Sequence, residues 1–121
     1  MQAELDVLLC QRYPEIFRDR HKSIYETAMC WGFTCGDGWF GIIDALCSEI
    51  TRQVVAGKMP PVVATQVKEK CGTLRFHIRG GNEETLRLIE SARHKSECTC
   101  EGCGAVTDVG HVICPACSVR R

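Results

Sequence analysis

Four cysteines near the end of the chain carry its clearest chemistry: Cys100-Glu-Gly-Cys103, ten residues, then Cys114-Pro-Ala-Cys117. Each C-x-x-C hook presents two thiolates from one tight turn, and two hooks with a short spacer can enclose one metal ion. Zinc takes four soft ligands in a tetrahedron, so one structural Zn2+ is expected, with iron as the weaker alternative. Gly104 follows the first hook, where a freely turning residue lets backbone N–H groups approach the sulfurs. Four cysteine ligands leave no coordination position for water or substrate, which makes the expected role structural. Cys98 and His111 are substitute ligands with poorer spacing. The module over residues 98–121 reads as a zinc ribbon or a treble clef. In the treble clef the second cysteine pair opens a short helix, here Pro115 to Arg121.

A second chemistry-bearing group lies on an expected β-hairpin. Val62 to Glu69 and Thr73 to Arg79 are extended-type runs flanking Cys71-Gly72. An even-numbered loop pairs Glu69 with Leu74, Val67 with Phe76 and Thr65 with Ile78. One face is then Val63, Val67, Leu74, Phe76 and Ile78, and the other is Lys68, Lys70, Arg75, His77 and Arg79. Five cationic or potentially cationic side chains on one face suit phosphates or an acidic protein surface, and Arg120-Arg121 could extend them. An ordinary solvated sheet face is the bland alternative.

Other motifs point to packing. Cys35-Gly36-Asp37-Gly38-Trp39 is similar to a glycine-rich ligand loop at a helix N-terminus, but it lacks the phosphate-loop pattern and Asp37 would repel an anion, so a capped turn is expected. Cys30, Cys35 and Cys47 lack metal or redox spacing and read as small core residues. His21, His77, His94 and His111 form no recognisable catalytic set, and neither His77 nor His111 has the surroundings an HNH-type nuclease needs. The chain is therefore read as non-enzymatic.

These groups need a scaffold. The chain has 121 residues, 45% hydrophobic and 25% charged, which suits one globular core with a small appended module. The formal net charge is zero, which argues against coating nucleic acid by charge alone. No apolar run approaches membrane-spanning length, and MQAELDVLLC has acids where a signal peptide is basic, so a cytoplasmic protein with reduced cysteines is expected.

The spacing predicts a helix over 3–12 with Leu5, Leu8 and Leu9 on one side, ended by Pro14. Arg18 to Lys22 reads as a charged connector. Ser23 and Glu26 suggest a capping box opening a helix to Trp31, stopped by Gly32. Residues 33–38 read as a turn, with Asp37 capping a central helix over about 38–56. Its apolar stripe includes Trp39, Phe40, Ile43, Leu46, Cys47, Ile50 and Val54. Asn82 caps a helix over 83–96 with Leu86, Ile89 and Ala92 inward. The expected fold is α+β: three to four helices on a β-hairpin over 1–97, with the metal module at 98–121 packed on that core.

Tyr13-Pro14-Glu15-Ile16-Phe17, Cys30-Trp31-Gly32-Phe33, Cys35 to Phe40, Gln66 to Gly72, Leu74-Arg75-Phe76 and the terminal Cys-x-x-Cys-Gly together resemble a family of small bacteriophage and prophage proteins over about residues 13–117. The resemblance implies an accessory protein of the bacterial cytoplasm and no particular activity. Three functional classes follow. The first is an interaction protein that binds and modulates a host or phage protein. The alternative is a nucleic-acid binder using the hairpin face and zinc module. An enzyme is third.

Overall fold

The computed structural model describes residues 1–119, and the expected Arg120-Arg121 extension lies outside them. The fold is α+β, with four helices and a three-stranded sheet. The elements are α1 (Ala3–Arg12), β1 (Phe33–Thr34), α2 (Phe40–Val55), β2 (Val62–Lys70), β3 (Thr73–Gly80), α3 (Glu83–Ser96) and α4 (Pro115–Val119). Among them no helix is long and apolar enough to cross a membrane.

Helix α1 buries Leu9 and ends before Pro14, which cannot continue it. The segment that follows is more than a charged connector. Ile16, Phe17 and Asp19 are all buried. Phe17 meets Phe33 edge-on at 4.9 Å and Phe76 at 6.3 Å, arrangements that suit aromatic quadrupoles. The Ile16 carbonyl accepts the Ala64 N–H at 2.8 Å, so this segment covers part of the β2 edge.

The expected helix from Ser23 to Trp31 does not form. One turn closes on the Ser23 carbonyl, and a short 3-10 turn follows over Ala28–Trp31. Thr27 explains the break. Its hydroxyl caps that turn by accepting the Met29 N–H at 3.1 Å and donates to the Thr65 carbonyl at 3.2 Å. A threonine used this way holds extended backbone and ties the chain to β2. Gly32 then stops the turn at φ 74°.

Phe33 and Thr34, read as part of a turn, are β1, parallel to Val67 and Lys68 of β2. The sheet order is β1-β2-β3. Between β1 and α2 a 3-10 turn spans Asp37–Trp39. Asp37 does not cap the central helix, as its spacing suggested. Its carboxylate accepts the Gln2 N–H at 2.7 Å. Trp39 occupies the cap position of α2 and is fully buried, with Ile43, Leu46, Cys47 and Ile50 below it.

The hairpin has the expected even loop. Cys71 and Gly72 sit at φ 54° and 78°, so a two-residue turn joins Lys70 to Thr73. Glu69 and Leu74 pair, as do Val67 and Phe76. Glu69, awkward on an apolar face, caps the turn by accepting the Gly72 N–H at 2.8 Å. The pairing of Thr65 with Ile78 is corrected by a bulge between Ala64 and Gln66. The extra residue brings Ala64 opposite Ile78 and Val63 opposite Arg79, so Val63 leaves the face shared by Val67 and Phe76. It is buried all the same, beside Ile16 and Ile50.

Asn82 caps α3 through a capping box with Thr85. The inward set is Thr85, Leu88, Ile89, Ala92 and Ser96, whereas Leu86, expected inward, is exposed. Burying Thr85, whose hydroxyl accepts the Asn82 N–H, rotates the helix away from a Leu86-centred face. At the far end Ser96 Oγ accepts the Leu74 N–H at 2.9 Å on the outer side of β3.

Candidate metal centre

The C-terminal module begins directly after α3. Thr99 and Val106 form an isolated bridge, and Cys100 donates its N–H to Ala105 at 2.7 Å. Gly104 closes the knuckle at φ 84°, donating to the Cys100 carbonyl at 2.8 Å. The first hook thus projects Cys100 and Cys103 from one tight turn. The second hook straddles the start of α4. Cys114 precedes it, Pro115 takes the first helical position where a missing N–H costs nothing, and Cys117 lies three residues beyond Cys114 on the same side. The knuckle is thus followed by a short helix that opens on the second pair.

All four sulfurs lie within 4.8 Å of one another, and those of Cys103 and Cys114 are 3.7 Å apart. Four sulfurs about 2.3 Å from one zinc are spaced about 3.8 Å along the tetrahedron's edges. The cage therefore fits a metal ion of that size. Cys100 and Cys114 are buried, Cys117 half-buried and Cys103 exposed. Gly102 leaves room for this packing, since a Cβ there would lie 2.9 Å from the Cys117 sulfur. Burial opposes charge on Cys100, yet N–H groups of Cys114, Cys103 and Gly102 outweigh it and bring the thiol down to about 6. Hydrogen bonding to the sulfurs of Cys114, Cys100 and Cys103 pushes Cys117 up to about 12. Four sulfurs this close repel one another as thiolates, and a bound cation relieves that repulsion.

Cys98 and His111 stand outside the cluster. The Cys98 thiol points back to the Lys95 carbonyl at 3.6 Å. Cys35 and Cys47 are core residues, with burial raising Cys35 to about 12 and Cys47 well above its ordinary value. Cys30 is half-buried.

The module is fastened to the core at the Cys35–Trp39 loop. Glu101, between the first two cysteines, accepts twice. Its carbonyl takes the Gly38 N–H at 2.7 Å, and its carboxylate takes the Gly36 N–H at 2.8 Å. The Trp39 indole N–H donates to the Thr99 carbonyl at 3.0 Å. A Cβ at Gly38 would overlap the Cys100 carbonyl and sit 2.5 Å from the Gly104 nitrogen, and one at Gly36 would run into the Glu101 backbone. The two glycines are there because another backbone comes that close. Neither Glu101 nor Thr99 stood out in the sequence. The signal was in the loop that receives them.

The hairpin's basic face is partly neutralised. Arg79 pairs with buried Asp19, which also binds Lys22 at 3.1 Å. The Arg79 hydrogen bonds are the main reason the Asp19 carboxyl is held below its ordinary range, against the opposing effect of burial. Lys68, Lys70, Arg75 and His77 enter no ion pair among the described residues. Lys70 and His77 are exposed, and Lys68 and Arg75 are half-buried and directly opposite each other. Arg75 Nε is buried without an acceptor. Glu90 on α3 feels the Arg75 charge, although Arg93 is its hydrogen-bonding partner.

Comparison of the chain with protein-family models, with curated proteins and with solved structures returned no match.

Proposed function

We propose that the chain is a non-enzymatic accessory protein of phage type, stabilised by one structural zinc, that binds and modulates a host or phage protein in the bacterial cytoplasm. The surface it uses is the face of Lys68, Lys70, Arg75 and His77, and the ligand chemistry is an acidic protein surface. The observation that carries this reading is the Lys68–Arg75 pair. Like charges directly opposed on a sheet are destabilising, and a buried Nε without an acceptor adds to that cost. A carboxylate from a partner relieves the charge opposition. The metal belongs to the scaffold, since four thiolates fill its coordination sphere.

Nucleic acid would use the same face. The zero net charge, the loss of Arg79 to Asp19 and the nearby Glu90 leave a patch that neutralises few phosphates, which favours the protein partner. The test is affinity capture from bacterial lysate with and without nuclease, using the parent and a Lys68→Glu/Arg75→Glu variant. Expected is a complex that survives nuclease and is lost in the variant. Loss on nuclease treatment would assign the face to nucleic acid, and equal capture by the variant would remove it from function. Elemental analysis should find about one zinc per chain. A metal-free, fully folded tail would refute the structural role.

A further inference from the structure

We propose that the metal centre is a latch on the core: metal occupancy holds the Cys35–Trp39 loop in its packed form, and that loop in return strengthens metal binding. This rests on the metal reading above and goes on to its regulation. The contacts are specific. Glu101 lies inside the first hook, so its backbone direction is fixed by whatever fixes Cys100 and Cys103. Through it pass the Gly38 N–H at 2.7 Å and the Gly36 N–H at 2.8 Å. Thr99, next to Cys100, receives the indole N–H of fully buried Trp39 at 3.0 Å. Trp39 is the cap residue of α2. A short path therefore runs from the metal ligands to the start of the central helix.

The tail has little core of its own. Between residues 98 and 119 only Cys100 and Cys114 are buried. Without a metal its backbone has few reasons to stay folded, and metal binding free energy is folding free energy for such modules. When the knuckle loosens, the Gly36 and Gly38 donors and the Trp39 indole lose their acceptors. The loop should then open along with the tail. Among the described residues, hairpin residues 62–80 share no hydrogen bond with the module, and they should stay folded.

Coupling is reciprocal. A change in the loop that touches no ligand must then weaken the metal. The test uses the full chain, titrated with cobalt(II) as a spectroscopic probe and with zinc against a competing chelator. Gly38→Ala places a Cβ where the Cys100 carbonyl and Gly104 nitrogen lie, and should lower zinc affinity by about 5- to 150-fold, the usual span of coupling. Trp39→Phe is the gentler variant, keeping the apolar ring while removing the donor to Thr99, and should lower affinity in the same direction. In a Trp31→Phe background, where Trp39 is the remaining indole, chelation should shift its emission to the red and release amide protection at 36–40 before 62–80.

The outcomes separate the two ideas. No cobalt thiolate spectrum from the parent would overturn the metal reading itself. A normal spectrum with parent-like affinity in both variants would overturn the latch alone. So would a chelated protein in which Trp39 stays buried and residues 36–40 stay protected.

Discussion

Lys68→Glu should stabilise this protein while weakening its function. Lys68 and Arg75 are cross-strand partners, so their Cβ atoms are about 4.5–5.5 Å apart on the same face. Removing a like-charge pair and creating an opposite one are each worth about 0.2–1 kcal/mol. Both residues are half-buried, so part of the gain is lost to solvent, and a net stabilisation of about 1 kcal/mol is expected. The new carboxylate also offers Arg75 Nε the acceptor it lacks. For a chain of 121 residues this should raise Tm by about 4 °C in calorimetry. Raising salt to about 1 M should shrink the gap, because the Debye length there is about 3 Å. Binding to the captured partner should fall by about tenfold, the signature of a residue kept for function at some cost in stability. A variant that is less stable than the parent would mean that Lys68 and Arg75 do not oppose each other without compensation. A variant that is more stable yet binds as well would take the partner away from this face.

Two further outcomes follow from other parts of the fold. Asp19→Asn should cost about 1.5–3 kcal/mol at neutral pH, toward the lower end because Arg79 and Lys22 remain partly solvated. The Asp19 carboxyl is held below its ordinary value, so its stabilisation is complete above the unfolded pKa of about 3.9 and disappears as pH falls through the folded value. Acid titration of stability should accordingly be less steep in the variant below about pH 4, and a parallel acid limb would refute the assignment. Cys71 sits at φ 54° in the first turn position, where asparagine is at ease. Cys71→Asn should therefore raise stability by about 0.5–1 kcal/mol and Cys71→Val should lower it by a similar amount, measured by denaturant midpoint, whereas equal midpoints would contradict the turn geometry.

The parts of the fold that were legible were those set by local pattern. Period-two alternation fixed the register at Val67 and Phe76, and Asn82 marked the start of α3. What escaped were decisions made by distant contacts. Thr27 abandons a helix because Thr65 offers its hydroxyl a carbonyl across 38 residues. Asp19 looks like one charge in a solvated run, yet Arg79, 60 residues away, makes it a buried anchor. The bulge at Thr65 has no marker such as glycine, so Val63 was assigned to the wrong side. The cysteine cluster was legible because its spacing is local, and the particular contacts that fasten its module were not.

The Cys35–Trp39 loop shows how one local pattern can serve two ends. Glycines before a helix suggest a ligand loop because a backbone without Cβ lets a phosphate come near. The same absence lets a second stretch of backbone come near, and here it is the metal knuckle. Charge decides between them: Asp37 would repel an anion, whereas a carbonyl and a carboxylate supplied by Glu101 arrive already positioned by the first cysteine hook. Both glycine N–H groups of this loop donate to Glu101 and are taken while the module is docked. On the β2–β3 face Lys68, Lys70, Arg75 and His77 enter no ion pair among the described residues. The cysteine module occupies the glycine loop, and in the function proposed above recognition is assigned to the hairpin.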